Sequence, residues 1–288
     1  MEDVLGKRLL FVTGKGGVGK STVAAALALL AARRGRRTML AEVAGQDRAG
    51  RALGGQAAGF EELQLEPGLF TISIDPEHAL EEYLRVQLPA RAMAELLASS
   101  RMFQYFAAAT PGMRELLTMG KVWELAQLER RTAGAAPYDL VIVDAPATGH
   151  GLAVLRAPAT FAQVARVGPI ARQAGIIERA IADRHHTGVV AVTHAEEMPV
   201  SETLALRRAP GLPLALTVVN AVLPNRFSGR QATSIRRALR NASTPTARAA
   251  LRAALSGHAR ARGQREQLER LRDGLRSDPV GLPFVFPE

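Results

Sequence analysis

The chain has 288 residues, of which 47% are hydrophobic, and its formal net charge is +10. This length is enough for one sizeable α/β domain, and we expect residues 1–288 to form one domain with a helical insertion at 91–131. The chain contains no cysteine, which excludes disulfide bonds and metal sites built from thiolates.

Arginine supplies the positive charge, because only four of the 37 basic residues are lysines. No arginine cluster is interleaved with aromatic residues, as the stacking surfaces for nucleic acid are. We therefore expect the charge to be spread over helix faces, and we do not expect a nucleic-acid partner. The acidic start Met1-Glu2-Asp3 and the lack of a long apolar run predict a cytoplasmic protein that meets membranes only indirectly.

The most specific motif of the chain lies near its start. Apolar residues predict a strand at 7–13, and an Ala/Leu-rich run without breakers predicts a helix at 21–34. The loop between them reads GKGGVGKS from residue 14 and satisfies G-x-x-x-x-G-K-[ST], the phosphate-binding loop. Its glycines let backbone N–H groups converge on phosphate oxygens. Lys20 is placed to neutralise the β- and γ-phosphates, and the Ser21 hydroxyl is placed to bind Mg²⁺.

A second lysine in the same loop narrows the class of protein. Lys15 directly follows the first glycine, although a single nucleotide site already has Lys20. This loop resembles the deviant phosphate-binding loop of the MinD/ParA/ArsA class, in which that lysine reaches across a dimer interface to the partner's phosphates. The resemblance implies a nucleotide-dependent dimer, whereas an ordinary solvated lysine would carry no such implication.

Strands and helices alternate along the rest of the chain. Apolar runs predict strands at 37–43, 69–74, 138–143, 187–193, 214–220 and 279–286. Helical patterns predict helices at 75–86, 150–184, 201–208 and, as two separate helices, within 230–275. The glycine-rich stretch 45–59 predicts weak structure. This alternation after a phosphate-binding loop predicts an α/β fold, with a doubly wound, mostly parallel sheet and helices on both faces.

Several residues at the ends of these elements have the character of helix caps. Asp75 and Glu77 are of the residue type that catalytic carboxylates have, but their place before and in a first helical turn favours a cap and a first-turn acid. Thr244 before Pro245 predicts an N-cap with proline at the first helical position. Gly35 predicts the end of the first long helix.

The stretch 91–131 predicts helices broken at 99–100 and at 111–112, and it contains four of the seven methionines. Methionine-rich helical surfaces can adapt to varied apolar ligands, which would make this stretch a groove for a client protein. Apolar residues at helical spacing also pack helix against helix, and we expect most of these side chains to do so.

The strand at 138–143 is followed by Asp144 and a loop that together carry a family resemblance. The stretch DAPATGHGLAVLRAP, 144–158, closely resembles the switch II signature of the arsenical-pump-driving and guided-entry tail-anchored-protein targeting ATPases. Four further stretches resemble the same family in the same order: IDPEHALEEYL, PGMRELLTMGKVWELAQ, EEMPVSETLAL and VVNAVLP. The resemblance covers nearly the whole chain and identifies it as a short, cysteine-free, bacterial-type member.

The family resemblance implies a set of site residues. The phosphates of ATP would be bound by Gly14, Lys15, Gly16, Gly17, Val18, Gly19, Lys20, Ser21 and Thr22. Ser21 and Asp144 would hold Mg²⁺, while Lys15, Lys20 and Asp144 would act in catalysis, with the loop to His150 sensing the γ-phosphate. Asn220 resembles the adenine-contacting asparagine, and Pro283 with Phe284 would wall the base. A local turn bond is the alternative role for Asn220.

The chain also departs from the family pattern. The family usually ends its second strand with an aspartate that orients the attacking water, and here Ala44 stands in that place. Glu42 or Asp47 could substitute, but neither occupies the expected position; loss of such a group lowers a rate by about 10²–10⁴-fold. The missing cysteines also exclude a zinc-bridged dimer and activation by thiolate-bound metalloids.

The sequence therefore predicts an ATP-binding and ATP-hydrolysing dimeric switch, either a homodimer or a heterodimer with a related ATPase. Its client would be a hydrophobic protein segment or a partner protein. Two alternatives stay open. Ala44 suggests a hydrolysis-impaired regulatory subunit of a hetero-oligomeric ATPase, and the deviant loop also occurs in ParA/MinD-type positioning ATPases.

Overall fold

A computed structural model of the protein describes residues 2–43, 48–55, 58–87, 100, 110, 112–132, 134–164, 169–209, 211–275 and 277–285. The chain divides into two compact units. The first comprises Met1–Ala191 with Pro210–Leu216, and the second comprises Val192–Ala209 with Thr217–Glu288. That the whole chain acts as one domain stays a prediction.

The described residues form an eight-stranded sheet. Its strands are β1 (Leu9–Thr13), β2 (Thr38–Val43), β3 (Leu63–Glu66), β4 (Leu69–Ile74), β5 (Leu140–Asp144), β6 (Thr187–His194), β7 (Leu214–Val222) and β8 (Val280–Pro283). The strand order is β3-β4-β2-β5-β1-β6-β7-β8. β1 pairs in parallel with β5 and β6, and β2 pairs in parallel with β4 and β5. The predicted mostly parallel sheet is confirmed.

Helices connect these strands. Those of the first unit are α1 (Glu2–Leu5), α2 (Lys20–Arg33), α3 (Arg48–Ala52), α4 (Pro76–Gln87), α5 (Met113–Leu125), α6 (Thr148–Val164) and α7 (Pro169–Ala182). Those of the second unit are α8 (Glu197–Arg208), α9 (Gly229–Asn241) and α10 (Pro245–Leu275). Among the described helices, none is both long and apolar enough to cross a membrane.

The crossover connections explain the doubly wound arrangement. From β1 the chain moves past β5 to β2, and from β5 it moves past β1 to β6, which is the opposite direction along the sheet. Because crossovers between parallel strands are right-handed, opposite directions place their helices on opposite faces. The α2 helix therefore covers one face, and α6 with α7 covers the other.

The buried strands account for the core of the first unit. All five residues of β1 and all six of β4 are buried. A parallel strand covered on both faces needs apolar side chains in both directions, which is why these strands read as continuous apolar runs. Small side chains let α2 approach the sheet closely, and Ala24, Ala28 and Ala31 are fully buried there.

Two local features differ from the sequence predictions. The stretch 45–59, predicted to be weakly structured, contains the short helix α3. The strand β3 was not predicted, and it adds to the sheet antiparallel to β4. Three of its four residues are exposed, so it lacks the apolar pattern that marks the buried strands. Of the predicted insertion 91–131, only residues 100, 110 and 112–131 fall among the described residues.

The predicted caps are present. Asp75 Oδ1 accepts hydrogen bonds from the backbone N–H groups of Glu77 at 2.8 Å and His78 at 3.1 Å. Thr244 Oγ1 accepts from the N–H of Ala247 at 3.2 Å. Gly35, at φ +80°, follows the end of α2 in the left-handed conformation that glycine favours. These bonds confirm Asp75 as a cap.

Candidate nucleotide site

The loop between β1 and α2 has the backbone that a phosphate-binding loop requires. Gly17 and Gly19 adopt φ of +83° and +90°, which a side chain would strain. Gly19 is the N-cap of α2, and within the described residues no side chain caps that helix. The N–H groups of its first turn are therefore oriented towards the loop, with the positive end of the helix dipole behind them. An anion such as a phosphate suits this position.

The two loop lysines meet through the backbone. Lys20 Nζ donates a hydrogen bond to the carbonyl oxygen of Lys15 at 3.2 Å, which folds the Lys20 side chain back over the loop. Val18 is buried, with 2% of its surface exposed, and it anchors the middle of the loop to the protein. Ser21 and Thr22 follow in the first turn of α2. The structure thus brings the predicted phosphate-binding residues together in one loop and helix start.

Asp144 lies beside this loop. In the pairing of β5 with β1, Asp144 stands in register with Val12, and the N–H of Ala145 donates to the carbonyl of Val12 at 3.0 Å. A methyl group added to Gly16 would lie 4.0 Å from Cβ of Ala147. The loop that follows β5 therefore lies against the phosphate-binding loop.

A second carboxylate stands next to Asp144. Glu42, with 4% of its surface exposed, is in register with Asp144 across the β2–β5 pairing and with Ser73 across the β2–β4 pairing. Residues in register on neighbouring parallel strands point to the same face, with backbones about 4.8 Å apart. Glu42, one of the two acids considered as substitutes for the switch I aspartate, therefore lies beside Asp144. Ala44 and Asp47 lie outside the described residues.

The residues present fit a magnesium ion by donor type. Ser21 offers a hydroxyl and Asp144 a carboxylate, and hard divalent cations prefer such oxygen ligands. Among the described residues, no three His, Asp or Glu side chains cluster as a protein-only metal site. Mg²⁺ in nucleotide sites takes few protein ligands and completes its shell with phosphate oxygens and water.

The predicted base-binding residues all belong to the second unit. Asn220 lies on β7, and its side-chain oxygen accepts a hydrogen bond from the N–H of Ala221 at 2.9 Å. This is the local turn bond that was the alternative to adenine contact. Pro283 ends β8, and the N–H of the neighbouring Phe284 donates to Val222 at 2.9 Å. Their role at the base stays a prediction. The side chains of 148–150, including His150, lie outside the described residues.

The first unit also contains an apolar cavity of about 200 Å³. Helices α4, α5 and α7 supply its walls. Its apolar lining includes Leu80, Leu84, Met113, Leu116, Leu117 and Ile177, and its polar end includes Glu82, Lys121 and Glu124. Part of the methionine-rich stretch therefore lines an internal space, although most of 91–111 lies outside the described residues.

Sequence reasoning missed a cluster of buried charges beside this cavity, which we call the ion-pair cluster: Glu62, Glu82, Lys121, Glu124 and Arg130. Lys121 Nζ lies 2.8 Å from Glu82 and 3.2 Å from Glu124. Arg130 is fully buried and pairs with Glu124 at 2.7 Å and with Glu62. Glu62 also accepts a hydrogen bond from the Tyr138 hydroxyl at 2.6 Å. Glu62 lies 68 residues before Arg130, and Glu82 lies 39 residues before Lys121, so no local pattern marks these two pairs.

The cluster shifts the protonation of its members. Burial alone would raise the pKa of Glu124, but the hydrogen bond from Arg130 and the charge of Lys121 lower it below its ordinary value. The pKa of Glu62 is likewise lowered, because hydrogen bonds from Arg130 and Tyr138 outweigh the effect of burial. Burial and the bond to Glu62 raise the pKa of Tyr138. The carboxylates of Glu62 and Glu124 are therefore held ionised.

The geometry of this site agrees with comparison to known families. A family model of anion-transporting ATPases matches residues 7–178. The chain belongs to the anion-transporting ATPase family. Because curated members similar to it include an arsenical pump-driving ATPase and an ATPase GET3, the family predicted from the switch II stretch is confirmed.

Three relatives show how far the likeness extends within this family. ATPase BagA of Mycobacterium tuberculosis is 34% identical over 76% of this chain and 66% of its own length. The arsenical pump-driving ATPase of Escherichia coli is 27% identical over 75% of this chain and 39% of its own length. ATPase GET3 of Chaetomium globosum is 30% identical over 58% of this chain and 48% of its own length. The matched part of the chain thus covers slightly less than two thirds of the length of ATPase BagA and less than half of the length of the other two relatives.

Proposed function

We propose that the protein binds ATP with Mg²⁺ and hydrolyses ATP to ADP and phosphate. The observation that carries this proposal is the juxtaposition of the glycine loop and Asp144. The loop presents the uncapped N-terminus of α2, and Asp144 stands in register with Val12 at the same strand edge. Membership of the anion-transporting ATPase family supports the same reaction.

In this proposal the chain's residues act by position and charge. The loop N–H groups and Lys20 bind the β- and γ-phosphates, and they stabilise the charge that moves onto the leaving phosphate oxygen. Ser21 and Asp144 hold Mg²⁺, which when bound neutralises phosphate charge. Glu42 or a residue of a second subunit orients the attacking water. The segment after Asp144 changes position when the γ-phosphate leaves.

We also propose that the active form is a dimer with a protein client. Lys15 occupies the position of the lysine that reaches the partner's phosphates in the deviant phosphate-binding loops that this loop resembles, and this supports a dimer. The apolar cavity between α4, α5 and α7 supports a hydrophobic client segment, because its lining is mainly apolar. A movement of any of these helices would change the shape of the cavity. The lack of cysteine excludes the thiolate binding of metalloids, so we do not extend the arsenical-pump role to this chain.

A second candidate function follows from Ala44. If no residue replaces the water-orienting aspartate, the protein binds ATP without turnover and acts as the regulatory subunit of a more active relative. This candidate predicts nucleotide binding together with a hydrolysis rate near background.

The test compares Lys20→Ala with Lys7→Ala, a lysine outside the loop. ATP binding and steady-state hydrolysis are measured for both variants and for the wild type. Removing Lys20 is expected to lower turnover by about 10²–10³-fold, while Lys7→Ala keeps the wild-type rate. Binding without turnover in the wild type would favour the regulatory candidate. A wild type that does not bind ATP would overturn both.

Mixing two inactive variants tests the dimer. In a Lys15→Ala subunit paired with a Lys20→Ala subunit, the first keeps an intact Lys20 and receives Lys15 from its partner. An equal mixture is then expected to recover about a quarter of the wild-type rate, since half of random dimers are mixed and each has one complete site. If Lys15 acts within its own subunit, the mixture stays inactive.

A further inference from the structure

The positive charge of this protein is concentrated in one stretch. Between Glu202 and Glu266 the sequence contains twelve arginines and no acidic residue, which gives residues 203–265 a formal charge of +12. The rest of the chain has 25 basic and 27 acidic residues, a formal charge of −2. The expectation that the charge is spread over helix faces is therefore wrong, because one segment accounts for the whole excess.

The structure folds most of this segment into two packed helices. Eight exposed arginines lie on α9 and on the first half of α10, a surface that we call the arginine hairpin: Arg230, Arg236, Arg237, Arg240, Arg248, Arg252, Arg260 and Arg262. The Nε of Arg248 donates to the carbonyl of Ala242 at 2.9 Å and closes the turn between the helices. Arg262 makes an ion pair with Glu266 at 3.5 Å.

The arginines of α9 lie away from its packed side. Ala232 is buried, with 2% of its surface exposed, and Ile235 is half-buried one turn further on. At 100° per residue, Arg230 and Arg237 fall on the side of α9 opposite to these two residues. Arg230 and Arg237 are thus exposed to solvent and do not contribute to the packed side of α9.

The chemistry of this surface separates three classes of partner. Protein interfaces have apolar or aromatic anchors at their centre, and peripheral membrane helices insert apolar side chains. The exposed large hydrophobic residues among the described part of the chain all lie elsewhere: Leu63, Val86, Leu128, Met198, Leu282, Phe284 and Val285. Residues 229–275 contain no aromatic residue on which an unpaired base could stack. Among its exposed residues this surface therefore offers charge and small polar groups for recognition, and no large apolar anchor.

We propose that the arginine hairpin binds the phosphodiester backbone of double-stranded nucleic acid without reading its sequence. Interfaces with duplexes are much more positively charged than interfaces between proteins, and their affinity comes largely from phosphate contacts. Arginine is suited to this because its planar guanidinium bonds two phosphate oxygens at once. The stretch from Arg248 to Arg262 spans about 21 Å, along which a duplex presents about twelve phosphates.

The experiment measures the binding of a labelled DNA duplex of mixed sequence to the full chain by fluorescence anisotropy, without nucleotide. The hairpin variant carries R230Q, R236Q, R237Q and R240Q, since glutamine keeps helix propensity and removes only charge. The control variant carries R33Q, R34Q, R172Q and R179Q, four exposed arginines of the first unit. Both variants lose the same formal charge, so general attraction affects them equally. Circular dichroism and thermal melting confirm that both remain folded.

The hairpin variant is expected to bind DNA at least about tenfold more weakly, and its slope of log K against log salt should be shallower by about 3–4. The control variant should stay within about twofold of the wild type. A DNA duplex of unrelated sequence should bind with the same affinity. A duplex RNA shows which nucleic acid is preferred, and a preference for either one supports binding to the phosphodiester backbone.

Four outcomes would overturn the proposal. The first is that the wild type does not bind duplexes. The second is that the two variants lose affinity for DNA equally. The third is that one DNA sequence is preferred over another by more than about tenfold. The fourth is hairpin-dependent binding to phosphatidylserine vesicles or polyglutamate that is at least as tight as binding to DNA, because the surface would then serve a membrane or an acidic protein.

Discussion

The ion-pair cluster of the first unit and the arginine hairpin of the second unit use charge in opposite ways. In the cluster, Arg130 is fully buried, and its guanidinium meets two carboxylates. In the hairpin, Arg236 and Arg237 are adjacent and exposed, and the nearest acidic residues in the sequence are Glu202 and Glu266. In the first region charges of both signs are paired and largely removed from water, and in the second region charges of one sign are exposed to water.

This difference shows where charge needs a functional explanation. A buried charge must be paired, because transfer from water to the interior is unfavourable unless an opposite charge and hydrogen bonds compensate it. The pairing in the cluster is therefore a condition of folding. An exposed surface of one sign is not required by folding, and mutual repulsion makes it slightly unfavourable. The hairpin is the region whose charge points to a partner.

The same substitution in both regions should have very different effects. Arg130→Gln leaves the half-buried Glu62 without its cation and leaves the buried Glu124 with Lys121 alone, and we expect it to lower the free energy of unfolding by about 3–5 kcal/mol. Arg240→Gln on the exposed face of α9 should change it by less than about 0.5 kcal/mol. Urea unfolding measures both, with the fluorescence of Trp123, the chain's one tryptophan, reporting on the first unit and circular dichroism on the whole chain. Equal effects at the two positions would contradict the comparison.

Lowering the pH should reduce the contribution of the ion-pair cluster to stability. It should not change the charge of the arginine hairpin, since arginine stays protonated. The pKa values of Glu62 and Glu124 are lowered from an ordinary 4.5, so the unfolded chain binds more protons as the pH falls through that value. Their contribution to stability is complete above about pH 4.5 and is lost below it, towards their folded pKa values.

A matched pair of variants isolates this effect. Glu62→Gln removes one of these groups and should reduce the slope of the unfolding free energy below pH 4.5, by up to about 1.4 kcal/mol per pH unit. Glu266→Gln, at an exposed glutamate, should leave the slope unchanged. Urea midpoints between about pH 3 and 6 provide the measurement. Unchanged slopes in both variants would show that the cluster carboxylates are not held ionised by their partners.

The smallest expected effect concerns an exposed carboxylate with backbone partners. Asp75→Ala removes the acceptor for the N–H groups of Glu77 and His78 and should destabilise the protein by about 1 kcal/mol. Asp75→Asn keeps the acceptor oxygen and should cost a few tenths of that. Thermal melting distinguishes the two. If Asp75→Asn instead lowered the rate of ATP turnover while its melting temperature stayed near that of the wild type, this carboxylate would have a role in the site.

Local patterns identified the residues of the candidate site, whose roles stay a prediction. The loop that contains the glycines and Lys20 is recognisable because its backbone limits the residue types at fixed positions. Some positions need a positive φ, and the start of α2 has no side-chain cap among the described residues. Asp144 was found for a similar reason, since an apolar strand of known length delivers its next residue to the sheet edge. The neighbour relation of Glu42 and Asp144 was not predictable in the same way, because it depends on which strands pair and in what register.

The sequence alone determined the alternation of strands and helices, the phosphate-binding loop, the caps at Asp75 and Thr244 and the family. These depend on residues within a few positions of each other, whose backbone preferences act before the chain is folded. Tertiary structure alone decided the antiparallel β3, the partners of Arg130 and the packing that leaves the arginines of α9 exposed. Pairing and burial depend on segments that only the folded chain brings together, so no local pattern records them.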